Sequence, residues 1–187
     1  QGPDFHPLVR GFDESLLMAS GLFMPEDSPD VVNAKITSDP IDKFLWATMD
    51  AAVSFNETSR DDNWFEPRGY LTDYFTNEAI KVIEANKNRP FFLYLAHWGV
   101  HTPLQAARED YDALPEIKDH KLRVYAAMIR ALDRSVGKII KTLKDNGLDK
   151  NTWVVFTSDN GGAGYIDLRY INSCLLYTSP SPRDEST

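Results

Sequence analysis

Apolar positions recur at helical spacing in two stretches of the chain. Leu71, Phe75, Ala79, Val82 and Ile83 form the first series. It predicts a helix with Thr72 as N-cap, ended by Asn86-Lys87-Asn88-Arg89-Pro90. The second series is longer: Leu122, Tyr125, Ile129, Leu132, Val136, Ile139, Ile140 and Leu143 make one stripe over residues 122–145. Arg123, Arg130, Arg134, Lys138 and Lys141 lie largely off it, and Asn146-Gly147 supplies a left-handed C-cap. Two short runs, Phe91-Phe92-Leu93-Tyr94-Leu95-Ala96 and Thr152-Trp153-Val154-Val155-Phe156-Thr157, are apolar on both faces. That is the pattern of a buried parallel strand. Strand, long helix and strand predict a βαβ unit over residues 90–157, and with it the α/β class with parallel strands and flanking helices.

The rest of the chain is less regular. Six prolines punctuate residues 1–69, which read as a long, ordered, surface-lining segment with one short helix at 39–49. Leu16-Leu17-Met18 and Phe44-Leu45-Trp46 are short apolar pieces between its turns. A loop is expected at 97–105 and a short helix at 108–114, where Arg108, Glu109, Asp110 and Asp112 read as a solvated charged surface. Composition narrows the classes. With 20 Lys+Arg against 28 Asp+Glu the chain carries −8, which argues against a general binder of nucleic acid or anionic membranes. No apolar run approaches the roughly 18 residues of a membrane helix. A single cysteine in 187 residues makes neither an intrachain disulfide nor a zinc-cysteine cluster.

Ligands of open parallel sheets bind at the carboxyl ends of the strands. The first run leads into His97-Trp98-Gly99-Val100-His101-Thr102-Pro103 and the second into Ser158-Asp159-Asn160-Gly161-Gly162. If the two strands are neighbours, both loops open on one rim and bring an imidazole toward a carboxylate-carboxamide pair. Asp159 and Asn160 offer hard oxygen ligands of the kind that suit Ca²⁺ or Mg²⁺. The same Asp-Asn-Gly-Gly is also ordinary turn chemistry. His101 precedes Thr102-Pro103, which holds its backbone extended. An imidazole placed there can donate to an anionic substrate or protonate a leaving oxygen, or it can simply cap loop carbonyls. His97, His120 and His6 read as structural or surface residues. No Gly-x-Ser-x-Gly elbow, Walker loop or dinucleotide fingerprint is present.

Three pieces in order, Pro-Phe-Phe-Leu-Tyr-Leu-Ala (90–96), Val-His-Thr-Pro-Leu-Gln (100–105) and Val-Val-Phe-Thr-Ser-Asp-Asn-Gly-Gly (154–162), resemble type I sulfatases of the alkaline-phosphatase-like superfamily. Arg-Gly-Phe-Asp (10–13) fits the same family, and the resemblance spans residues 7–166. It implies a partial alkaline-phosphatase-like sandwich and hydrolysis of sulfate esters by a formylglycine made from Cys or Ser. It also implies a divalent cation, usually Ca²⁺, with Mg²⁺ possible. By the resemblance, Asp159 and Asn160 are metal ligands, and His101 contacts the sulfate and is a candidate acid for the leaving group. The resemblance further implies a sulfated small molecule or glycan as substrate and a periplasmic, extracellular or lysosomal setting.

The family's Cys-x-Pro-Ser-Arg nucleophile motif, its paired aspartates near the first strand and its Lys-x-x-x-x-x-Glu-Gly-Gly region are absent. Residues 1–173 therefore read as an internal segment of a catalytic domain, inactive alone, with the nucleophile upstream. A phosphodiesterase or phosphonate hydrolase of the same superfamily and a non-catalytic α/β binding domain are the competing expectations. The stretch Cys-Leu-Leu-Tyr-Thr-Ser-Pro-Ser-Pro-Arg-Asp (174–184) resembles, codon for codon, the in-frame translation of a transposase-type sequencing adapter. Residues 174–187 are accordingly expected to be a non-native tail, and Cys174 is no substitute for the nucleophile.

Overall fold

The computed structural model describes residues 6–20, 23–36, 48–52 and 64–159. After a 3₁₀ turn at Pro7–Arg10 come strands β1 (Ser15–Ser20), β2 (Val31–Ala34), β3 (Thr48–Ala52) and β4 (Trp64–Phe65). Helix α1 (Leu71–Asn86), strand β5 (Leu104–Ala107), helix α2 (Arg108–Asp112) and helix α3 (His120–Asp145) follow. One antiparallel sheet runs β1-β3-β4; a second pairs β2 with β5, Val31 opposite Ala107 and Ala34 opposite Leu104. Helix α3 packs across β5 and along α1.

The core forms where α3 meets the β2–β5 pair. Leu104, Ala106, Val124, Ala127, Met128 and Ala131 are all sealed from solvent. Small residues at 127, 131 and 135, one turn apart on α3, let the neighbouring backbones approach closely. The buried face is thus rotated from the stripe that the sequence predicts: Leu132, Val136, Ile139 and Ile140 are only half-buried and Ile129 is exposed. Both ends of α3 follow local rules. Asp119 caps the start by accepting from the Leu122 N–H at 2.7 Å. The end is a Schellman turn, with Leu148 N–H to Leu143 carbonyl, Gly147 N–H to Lys144 carbonyl and Gly147 at φ +69°.

Gln105 ties the second sheet to the segment before it. Its side chain is fully buried; the carbonyl oxygen accepts from Met24 N–H at 2.9 Å, and the amide donates to Met24 carbonyl at 3.0 Å and Asn33 Oδ1 at 2.8 Å. Tyr70 donates its hydroxyl to the Gln105 carbonyl at 2.9 Å. Burial pushes this phenol well above its ordinary pKa, so it remains a donor.

The α/β class holds, but several expectations need correction. Of the βαβ unit the helix is present, while residues 91–98 and 152–158 join no strand ladder among the described residues. Side chains from 91 to 98 alternate between half-buried and exposed, the period of a strand. Phe92 is 79% exposed and Trp153 97%. A buried parallel strand needs a partner on each edge, and the strands described here pair only among β1, β3 and β4 or between β2 and β5. The segment 1–69, read as irregular, holds β1 to β4 among its described residues. The predicted helix at 39–49 lies mostly outside the described residues, and its last two positions, Thr48 and Met49, open β3. Thr72 is not the cap of α1: Tyr70 holds that position without a side-chain bond, and Thr72 is buried in the first turn. The charged surface at 108–112 is not uniformly solvated. Asp110 is 2% exposed and pairs with Arg134 and Arg130, while Arg134 reaches Asp73 on α1 at 2.9 Å. Arg108 donates to the carbonyls of Pro29 and Val31.

Candidate functional site

The loop between residues 97 and 103 carries the best-defined candidate, His101. It closes a tight turn in which its N–H donates to the Trp98 carbonyl at 2.8 Å. The Trp98 indole stands edge-on to the imidazole, with ring centroids 5.4 Å apart and planes at 88°. Beyond the turn the chain enters β5, whose residues are all buried, so the loop is anchored on its C-terminal side by the core. The His101 side chain is exposed.

The tautomer of His101 follows from its one side-chain bond. Nδ1 lies 2.6 Å from the Thr102 carbonyl oxygen, which can only accept, so Nδ1 carries a proton. Nε2 is then the nitrogen available to a substrate. The carbonyl-capping role weighed from the sequence is therefore present, and it orients the ring without occupying its outer nitrogen.

Asp159 ends the other segment. It is exposed, follows Ser158, and no hydrogen bond or ion pair joins it to His101 among the described residues. Asn160, its expected companion as a metal ligand, lies outside the described residues. The test of fit for a divalent cation is the donor set. The Asp159 carboxylate is the right kind of ligand, but no group of three or more His, Cys, Asp or Glu side chains converges among the described residues. A Ca²⁺ site takes six to eight oxygens, so the described part of the chain holds at most a fraction of one.

The remaining histidines are structural in different ways. His6 accepts the Leu8 N–H at 3.2 Å and caps the 3₁₀ turn. His120 bridges the Asn33 carbonyl at 2.8 Å and the Tyr111 hydroxyl at 3.0 Å. His97 is tied to Ser135 of α3, Nε2 to Oγ at 2.9 Å, and burial lowers its pKa below the ordinary imidazole value. Nothing in the residues around His97 separates it from a surface histidine. The available signal was Ser135, a lone hydroxyl at the i+4 spacing of Ala127 and Ala131, which called for a polar partner across the interface.

Comparison with known proteins matches residues 28–174 to the family described as Sulfatase. N-acetylgalactosamine-6-sulfatase of Mus musculus is 33% identical over 163 residues, covering 86% of this chain and 28% of that protein. Arylsulfatase J of Mus musculus is 33% identical over 165 residues, covering 85% of this chain and 24% of that protein. Among solved structures, Ps i-CgsB in complex with k-i-k-neocarrahexaose superposes with a TM-score of 0.66 at 32% identity, over 87% of this chain and 35% of that one. The chain thus spans between about a quarter and a third of these three proteins. The match takes in both the His101 loop and the Asp159 segment on a common fold, and the chain belongs to the sulfatase family.

Proposed function

We propose that the protein to which this chain belongs hydrolyses sulfate esters, with His101 binding the sulfate and giving a proton to the departing oxygen. The observation that carries this reading is the Nδ1–H bond of the exposed residue His101 to the Thr102 carbonyl, which leaves Nε2 as the ring nitrogen open to a substrate. Sulfate ester cleavage builds negative charge on the leaving oxygen, and a pre-oriented imidazolium stabilises it and supplies the proton. Sulfatase membership supports the reaction class. The neocarrahexaose bound in the structural neighbour supports a sulfated glycan as substrate.

Asp159 and Asn160 would hold a divalent cation, Ca²⁺ in preference to Mg²⁺, which supplies Lewis-acid stabilisation of the sulfuryl oxygens when bound. The sequence carries no Cys-x-Pro-Ser-Arg motif, so the reading assigns the formylglycine nucleophile and the other ligands to further parts of a longer protein. The exposed apolar segments 91–96 and 152–157 fit the same reading, as strands whose partners lie in those parts. Residues 174–187 stay outside the functional assignment, as an adapter-like tail.

An assay with an aryl sulfate tests the proposal. The 187-residue chain alone is expected to be inactive. In a longer polypeptide that completes the domain, His101→Ala should lower kcat/KM by roughly 10²- to 10⁴-fold, the usual worth of a positioned proton donor. Unchanged turnover in that variant would end the reading.

A further inference from the structure

Two buried hydroxyl side chains that the site does not use, Thr76 and Ser135, lead to His97. Its Nε2 meets Ser135 Oγ at 2.9 Å, Ser135 Oγ meets Thr76 Oγ1 at 2.6 Å, and Thr76 Oγ1 meets the Thr72 carbonyl oxygen at 2.6 Å. Ser135 and Thr76 are 1% and 0% exposed, so water does not complete these bonds. With all three contacts made as hydrogen bonds, counting protons fixes every direction. The Thr72 carbonyl only accepts, so it takes the single hydroxyl proton of Thr76. Thr76 then accepts from Ser135, which has no second proton to give. Ser135 can only accept from His97, so Nε2 of His97 carries the ring proton. Nδ1 is left as a bare acceptor, buried and without a hydrogen-bond partner.

The same residue immediately precedes the Trp98–His101 turn. The Phe75 ring of α1 meets His97 edge-on at 6.4 Å, and a Cβ on Gly99 would stand 3.6 Å from Thr72 Oγ1. Trp98, next in sequence, supplies both the carbonyl that closes the turn and the ring that borders His101. One end of the turn is thus fixed to α1 and α3 by a directional chain of hydroxyls, and the other end presents the reactive imidazole.

We propose that His97 is a positioning residue for His101: the Thr72–Thr76–Ser135 relay holds it as the Nε2–H tautomer and so sets where the turn presents the His101 ring. The proposal deepens the sulfatase reading and rests on it only for what His101 does to a substrate.

Long-range proton–nitrogen NMR of the ¹⁵N-labelled 187-residue chain reads both rings directly. His97 is expected as the neutral Nε2–H form. Thr76→Val keeps the side-chain shape but removes the hydroxyl. Of its present partners Ser135 then keeps only His97 Nε2 as an acceptor, so the proton should move to Nδ1, with a shift of the His101 ring signals. Thr76→Ser should restore both signatures. If the valine variant does not fold, Ser135→Ala serves: His97 loses its fixed tautomer and the His101 signals move. The proposal falls if wild-type His97 is the Nδ1–H form, if its tautomer ignores these changes, or if it switches while His101 stays still. Inorganic sulfate titrated into the wild-type sample tests the functional reading separately, since a silent His101 counts against sulfate binding and leaves the tautomer results as they are.

Discussion

Two parts of this molecule have similar apolar content and opposite fates. Around α3 and β5, Leu104, Val124, Met128 and Ala131 are sealed from solvent. In residues 91–96 and 152–157, Tyr94, Trp153, Val155 and Phe156 are between 71% and 97% exposed. Hydrophobicity alone does not decide burial. Helix α3 satisfies its own backbone and needs only one apolar surface to cover its buried face, which β5 and α1 provide. A central strand satisfies nothing by itself and requires a neighbour on each edge. The β5 side of the His101 loop is therefore packed among the described residues, while the apolar runs that lead into that loop and into Asp159 stay largely exposed.

The largest expected effect comes from the packed side of this contrast. Asp110 is the buried member of a cluster with Arg134 and Arg130 that clamps α2 onto α3, and Arg134 extends it to Asp73 of α1. Asp110→Ala strands cationic groups in a partly desolvated place. It should destabilise the chain by about 3 kcal/mol, the low end for a broken buried pair because Arg134 keeps 26% exposure. Urea unfolding measures it, and a loss below about 1 kcal/mol would mean that the clamp contributes little. Gln105→Ala should cost somewhat less, about 2 kcal/mol, by leaving the Met24 backbone groups and Asn33 without the three bonds they make to it. A near-neutral result there would show that water replaces the amide and that β2–β5 is less tightly sealed than its burial indicates.

The sequence revealed the helices of this architecture and none of its described strands. Both long helices were legible because a 3.6-residue period repeats over four or more turns, and Gly147 marked the end of α3. The β2–β5 pair was not, because Val31-Val32-Asn33-Ala34 is too short to show a period and its pairing partner lies some 70 residues away in a segment that reads as loop. Asp110 looked solvated for a similar reason: its partners are Arg130 and Arg134, a helix later, and local sequence does not report them. At His101, which precedes Thr102-Pro103 at the end of an apolar run, only a choice between a substrate contact and a carbonyl cap was legible. The hydrogen bond that sets its tautomer was not, since it depends on the turn's geometry.

A smaller effect concerns the joint between the two parts. Burial alone lowers the His97 pKa, with no charged side chain contributing, so the folded state holds the ring neutral where the unfolded chain would protonate it. The stability this group contributes is complete above the ordinary value of 6.5 and is lost as the pH falls from there toward the folded pKa. Thermal melts from pH 8 to pH 5 should show a falling midpoint that flattens in His97→Gln. An unchanged slope in that variant would place the titrating group elsewhere and weaken the claim that the loop is rooted in the core.

The smallest effect sharpens the comparison most. Trp153 is 97% exposed, so Trp153→Lys removes almost no contact within this chain and should change its stability by less than about 0.5 kcal/mol. The same substitution in a longer protein that pairs the 152–157 strand on both edges would bury a lysine in a sheet, at a cost of several kcal/mol. The measurement is a pair of urea titrations, one on each length of polypeptide. A large loss in the 187-residue chain would show that its own residues already cover Trp153, and the contrast between a finished scaffold and an unfinished strand would collapse. Equal, small losses in both would keep the strand at an exposed surface and detach Asp159 from any sheet-end site.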